Sequence, residues 1–271
     1  QCAFDLYAKK QTLIEDCKKK FAMLRQELGS FHSSWVLATG PSIDEFSNFD
    51  FSSSLVIACN STILDDNIWE KCSPRIIVFA DPIFHFGVSE YAGEFRRALE
   101  KRLSSSSVVV IVPFKYYPLL IDVFPDYVNQ IIGVPFEKRD FNIDIEREFY
   151  VRTTSNILTL LLMPLAACFS NEINLLGCDG RPIDNDEYFW GHGSSVQIND
   201  KMQNIQDVHP GFFNIDYNEY YFEHCHTLEA LILYIEGLGK NVRHRAYSHI
   251  PALLVRSDGY KKDPSELFVL I

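Results

Sequence analysis

The stretch Trp35-Val36-Leu37-Ala38-Thr39-Gly40-Pro41-Ser42-Ile43-Asp44-Glu45 limits what this chain can fold into more than any other. An apolar run of strand length ends at Gly40, which permits a tight turn, and Pro41-Ser42 then opens a helix. Ser42 and Glu45 have capping-box spacing, which predicts Ser42 as the N-cap. A strand turning sharply into a helix N-terminus aims unpaired N–H groups and the positive dipole end at one point, which suits a phosphate. The same glycine turn also serves where a helix merely packs on a strand. A second apolar run, Ser54-Leu-Val-Ile-Ala-Cys-Asn60, ends in a polar amide. In a parallel sheet Asn60 would stand beside Gly40 at the C-terminal edge, where such folds bind ligands.

Further apolar runs follow at Arg75–Asp81, Val108–Pro113, Gln130–Gly133, Ile173–Gly177 and Asn241–Tyr247, several of them separated by helical patterns. That alternation predicts an α/β protein: a Rossmann-like, mostly parallel sheet with helices on both faces. Asp81 closes the third run, and Pro82 stops it from continuing as a strand. Residues 114–151 show no clean period and read as connecting structure. Ile157–Cys168 is apolar all round and reads as a buried helix. The helix is preceded by Arg152-Thr153-Thr154-Ser155, a second helix start suited to an anion and equally to ordinary capping. Ile173–Gly177 delivers Cys178-Asp179-Gly180-Arg181 at its end. From about 182 to 222 the chain turns polar and aromatic, which predicts a lid insertion, and Thr227–Leu238 reads as the next helix.

Residues 1–30 form one amphipathic helix, and 31–271 a single domain carrying that lid. The helix, over 3–29, has lysines at 9, 10, 18, 19 and 20. Its basic face is either a solvated surface or a contact for an anionic membrane or a partner. The chain opens on Gln1, which reads as a fragment of something longer.

Composition excludes several classes. The net charge of −11 argues against nucleic acid as a partner, since a phosphate backbone rewards clustered Lys and Arg. No apolar run is long enough to cross a bilayer and no secretory pattern is present, which predicts a cytoplasmic protein, at most peripheral to the inner membrane. The seven cysteines are odd in number and lack CxxC spacing, so they read as reduced core residues. Asp184-Asn-Asp186 and the His224/His226 pair are weak metal patterns, so no metal or cofactor is expected. Homo-oligomerisation is left open.

Taken in order, these motifs resemble the bacterial sialyltransferases that use CMP-sialic acid. The resemblance rests on Gly40-Pro41-Ser42, Cys59-Asn60, Asp81-Pro82, Arg152-x-Thr154-Ser155, Gly177-x-Asp179 and Tyr221-x-x-His224. It spans residues 35 to about 254, and parts of it also occur in MAF-type flagellin glycosyltransferases, pterin diphosphokinase-like proteins and Kdo transferases. It implies a glycosyltransferase that takes a keto sugar acid from a CMP-sugar donor to a glycan acceptor. Thr39, Gly40, Pro41, Ser42, Asn60, Asp81, Arg152, Thr154, Ser155 and Gly180 would hold the donor, and His224 would be the general base. Arg181 and Tyr188 fall near the positions of the family's two lid tyrosines, which steady the departing phosphate. Asp81 stands where the family has an amide, and a carboxylate there would repel an acidic sugar. An inverting enzyme needs only His224, whereas a retaining one would use Asp81 or Asp179 as nucleophile. Two other readings are an ATP- and magnesium-dependent pterin pyrophosphokinase and a non-catalytic sugar-nucleotide-binding module.

Overall fold

The computed structural model describes residues 3–182 and 216–260. Seven strands form one sheet in the order β5-β4-β3-β2-β1-β8-β9, every pairing parallel. They are β1 (Phe31–Leu37), β2 (Leu55–Cys59), β3 (Ile76–Val78), β4 (Val109–Pro113), β5 (Ile131–Val134), β8 (Ser170–Leu176) and β9 (Asn241–His244). A separate parallel pair joins β6 (Phe136–Glu137) to β7 (Val151–Arg152).

The strands read as continuous apolar runs because both faces of the sheet are covered. Along β1 and β2 the two faces alternate: Val36, Leu55, Ile57 and Cys59 enter one core, and Trp35, Leu37, Val56 and Ala58 enter another. The helices are α1 (Ala3–Leu28), α2 (Asp66–Cys72), α3 (Pro82–Phe86), α4 (Glu90–Ser105), α5 (Tyr117–Val123), α6 (Met163–Phe169), α7 (Tyr217–Gly237) and α8 (Pro251–Leu254). The larger core takes Cys17 and Phe21 from α1, Phe95 and Leu99 from α4, Leu165 from α6 and Leu231 from α7. The smaller one takes Ile68 from α2 and Ile43 from a 3-10 helix at Pro41–Asn48. This is the Rossmann-like α/β architecture expected from the strand and helix runs.

Chain order places β2 to β5 on one side of β1, and β8 and β9 on the other. The direction of winding therefore reverses between β1 and β8, and folds of this kind bind ligands outside the carboxyl ends of strands at such a point.

Several local expectations are corrected. The segment 114–151 holds the short strand expected at 130–133, which is the edge strand β5, but it is more than a connector, since it also supplies α5, β6 and the start of β7. Residues 216–222, expected in the lid, begin α7: the Asp216 side chain accepts from Asn218 N–H and Glu219 N–H and caps the helix. Tyr221, His224, Leu228, Leu231 and Ile235 are then buried along one helical face, a period hidden by the polar residues around them. The rest of the expected lid lies outside the described residues. The buried helix begins with a π turn at Leu158–Leu162, where Met163 N–H reaches Leu158 C=O. Pro164 follows; it lacks the N–H that Leu160 C=O would receive in an α-helix, and a widened turn accommodates it.

Helix α1 lies against β5, where Cys17 Sγ accepts from Gly133 N–H at 3.3 Å. Lys20 does not belong to a free basic face. Its Nζ donates to Tyr117 Oη and Val128 C=O, each at 2.9 Å, and pairs with Asp16 at 2.8 Å. Lys9, Lys10, Lys18 and Lys19 are exposed. Among the described residues no helix is long and apolar enough to cross a membrane.

Candidate functional site

The turn after β1 departs from its expected form. Ser42 does not cap the helix: Gly40 holds the N-cap position, and the buried Ser42 hydroxyl accepts from Gly177 N–H at 2.9 Å. The Ser42 N–H, which was to face a phosphate, donates to Asp179 Oδ2 at 3.1 Å. Gly40 N–H donates to Gly177 C=O at 2.8 Å, and Ile43 N–H to Gly40 C=O at 3.0 Å. The anion at this helix start is thus the protein's own Asp179, carried by the neighbouring strand. The approach is close enough to demand glycine, because a Cβ on Gly40 would stand 2.2 Å from Asp179 Oδ2 and 2.7 Å from Gly177 O.

On the β2 side, Asn60 adopts φ +50°, a left-handed conformation that asparagine tolerates better than most residues. It opens a 3-10 turn, Asn60–Leu64, which is clamped from below. Buried Arg102 of α4 donates through Nε (3.0 Å) and Nη2 (2.8 Å) to Ile63 C=O, and its guanidinium lies over Trp69 at 4.7 Å. After β3, one oxygen of Asp81 accepts from Phe84 N–H at 2.9 Å and caps α3. The Asp81 carbonyl accepts from His85 Nδ1 at 2.7 Å. Burial in an aromatic surround, with the Phe95 ring 4.3 Å away, lowers the His85 pKa to about 4.

The second helix start is drawn to α7 rather than standing open. Tyr220 Oη donates to Ser155 C=O at 3.0 Å and accepts from Asn156 Nδ2 at 3.3 Å. Thr154 Oγ1 accepts from Thr159 Oγ1 at 3.0 Å, while Arg152 is exposed with its guanidinium over Phe141 at 4.5 Å.

Beyond Asp179 the chain turns through Gly180 at φ +66°, and a Cβ there would meet Ile250 Cγ1 at 2.5 Å and Tyr221 Oη at 2.7 Å. The Tyr221 phenol fixes the next residue by both of its backbone groups, accepting from Arg181 N–H at 3.1 Å and donating to Arg181 C=O at 2.9 Å. Burial raises the Tyr221 pKa to about 12, so the phenol keeps the proton it donates. The Arg181 guanidinium is buried, lies 5.0 Å over the Tyr221 ring and donates through Nη2 to Asn218 Oδ1. A cation against an aromatic face and an amide is held in one orientation.

One turn further along the same face of α7 stands His224, 6% exposed. Its Nδ1 is sealed without a hydrogen-bond partner among the described residues, and burial lowers its pKa to about 4. The imidazole is therefore neutral at pH 7. His226, two positions on, is exposed on the other side of the helix, so the two do not form a ligand pair. Among the described residues no cluster of His, Cys, Asp or Glu is arranged to hold a metal ion. Tyr188 lies outside the described residues, as do Asp184 and Asp186.

The structure thus joins Gly40, Ser42 and Asp179 in one knot, and Gly180 and Arg181 with the helix that carries His224. Asn60 and Asp81 lie along the same sheet edge on the β2 and β3 side. Tyr220, Asn218 and Asn156 were not singled out from sequence. The Asp216 cap and the Tyr221/His224 spacing were the signals that could have found the first two.

The fold and this edge define a Rossmann-like α/β protein with polar residues gathered at its topological switch point. No family profile and no curated protein sequence matches the chain. It is similar to the solved sialyltransferase CstII from Campylobacter jejuni in complex with a substrate analogue, cytidine-5'-monophosphate. That likeness has a TM-score of 0.42 and 16% identity over 80% of each chain. It is also similar to the monofunctional alpha-2,3-sialyltransferase Cst-I from Campylobacter jejuni, with a TM-score of 0.44 and 15% identity over 79% of this chain and 75% of that one. CstII in complex with CMP-3FNeuAc gives 0.42 and 15%, over 83% of this chain and 84% of that one.

Proposed function

We propose that this chain is a glycosyltransferase that moves a keto sugar acid, of sialic acid or Kdo type, from a CMP-activated donor to a glycan hydroxyl. The observation that carries the reading is a buried cation held against the helix that bears a buried imidazole: the Arg181 guanidinium lies over Tyr221 of α7, and His224 is buried one turn further along that helix. Phosphate departure needs a fixed positive charge, and acceptor attack needs a neutral base. Arg181 and His224 offer one of each.

In the proposed step the acceptor hydroxyl oxygen bonds to the anomeric carbon, its proton passes to His224, and the bond to phosphate breaks to release CMP. Arg181 stabilises the charge that collects on the leaving phosphate. Burial keeps His224 unprotonated near neutral pH, and a bound anionic donor would raise its basicity by favouring the imidazolium. Asn60 with its left-handed backbone, and the Thr154-Ser155 turn, would hold the donor. Asp179 and Asp81 each have an oxygen engaged by a backbone N–H, which suits them to bracing turns and favours inversion over a carboxylate nucleophile. The positive field comes from Arg181 and backbone donors, so the reaction as proposed calls for no metal.

Calorimetric titration with CMP, CDP, UDP and ATP, with and without magnesium, tests this reading. Metal-independent preference for CMP supports it and leads to transfer assays with CMP-sialic acid and CMP-Kdo. Preference for ATP with magnesium would replace it with phosphoryl transfer.

A further inference from the structure

The loop after β9 carries two exposed rings that the proposed transfer chemistry leaves unused. From Ala246 to Ile250 the side chains alternate: Ala246, Ser248 and Ile250 are buried, while Tyr247 and His249 are exposed, Tyr247 at 60%. The two rings stand edge to face, with centroids 5.0 Å apart and planes at 84°.

The backbone beneath them is fixed to the end of β8. Ser248 Oγ lies 2.9 Å from Cys178 C=O and 3.2 Å from Asp179 C=O, and accepts from Ile250 N–H at 3.2 Å. His249 N–H donates to Asp179 C=O at 2.6 Å. Asp179 therefore braces the Gly40–Ser42 turn with its side chain and this loop with its carbonyl. Two perpendicular rings on a pinned loop form a rigid corner, preorganised for a flat partner and needing little ordering to receive one.

Strand order decides which partner. Along the carboxyl edge the sequence is Asp81 after β3, Asn60 after β2, Gly40 after β1, Asp179 and Arg181 after β8, then the Tyr247/His249 loop after β9. A nucleotide sugar is itself linear: sugar, phosphate, ribose, base. If the sugar lies toward Asn60 and the phosphate is met by Arg181, the nucleoside extends away from β2. It then runs toward the loop after β9, the next strand, about 4.8 Å beyond β8.

We infer that Tyr247 and His249 form the stacking corner for the nucleobase of the bound nucleotide. This rests on the nucleotide-sugar reading. Base-on-aromatic stacking tolerates any base, so the corner supplies affinity, and discrimination between bases falls to hydrogen-bonding groups.

The test is titration of the wild-type protein and the Tyr247→Ala, Tyr247→Phe and His249→Ala variants with CMP, UDP and ATP. Ribose 5-phosphate serves as a probe that lacks a base. Thermal melting accompanies each variant to confirm that it is folded. Tyr247→Ala should weaken the preferred nucleotide about tenfold or more, the loss of one base stack. Tyr247→Phe should stay within about twofold, since the face rather than the hydroxyl is used. Ribose 5-phosphate should bind all variants alike. Normal nucleotide affinity in both alanine variants would overturn the corner and leave the donor reading standing, as would equal weakening of nucleotide and ribose 5-phosphate. A wild-type protein that binds no nucleotide would overturn both.

Discussion

The Asp179 carboxylate accepts from the Ser42 N–H at 3.1 Å, across 137 positions of sequence, and fills the helix start that the Gly-Pro-Ser turn presents. What looked in the sequence like an open phosphate cradle is a latch between the two strands that flank the switch point. Its loss should be felt first as stability.

Asp179→Ala strips the partner from the Ser42 N–H, at a cost of about 1–3 kcal/mol. Gly40→Ala should cost more, because its Cβ meets Gly177 O as well as Asp179. Combining the two should recover only part of the Gly40→Ala loss, since the Gly177 carbonyl is backbone and remains in the way. Urea midpoints of the two single variants and the double variant measure this; full recovery would mean that the carboxylate is the only obstruction.

Asn60 separates stability from binding. Its φ of +50° is strained for any residue but glycine, so Asn60→Gly should leave stability unchanged or raise it by up to about 1 kcal/mol. The same change removes the amide proposed to hold the donor and should lower CMP affinity. Parallel melting and titration of this variant, beside Asn60→Ala, check the expected opposition.

His224→Ala should abolish transfer while leaving nucleotide affinity within a few-fold, because the role proposed for it is to act on the acceptor proton. Arg181→Lys should lower turnover as well, since an ammonium cannot reproduce the planar contact with Tyr221 and Asn218. Single-turnover assays with the donor identified by titration distinguish the two roles. Near-normal turnover in His224→Ala would remove the base assignment.

Acid should destabilise the protein within a defined window. His224 and His85 drop from the ordinary 6.5 to about 4 through burial, and burial lowers His244 as well. The unfolded chain takes up these protons below about pH 6.5, and the folded one only near pH 4. Stability should therefore fall between those limits, by on the order of 3 kcal/mol for each of the first two, with no further loss from them below pH 4. Urea midpoints from pH 7 to 4 measure the slope, and His85→Phe should flatten it.

All seven strands of the main sheet and the buried helix around residue 160 were legible in the sequence, because burial on both faces writes itself as runs of Val, Ile and Leu. Gly40, Asn60, Asp81 and Asp179 were legible as strand-end residues for the same reason, since each follows directly on such a run. The start of α7 was not: its inward face carries Tyr221 and His224, which hydrophobic pattern alone does not mark as core. Nor were the local bonds at that edge of the sheet. Ser42 has the spacing of a capping box, yet its hydroxyl serves Gly177, because a strand from far along the chain lies closer than the helix's own first turn.

The sequence by itself determined the fold class and the residues that gather at one edge of the sheet, since periodicity and strand ends are local properties of the chain. Only the tertiary structure decided which of those residues satisfy one another. Strand order brought Asp179 to Ser42, Tyr221 to Arg181 and the Tyr247 loop to the end of β8. Hydrogen bonds form between whatever groups packing brings within about 3 Å, whatever their separation along the chain.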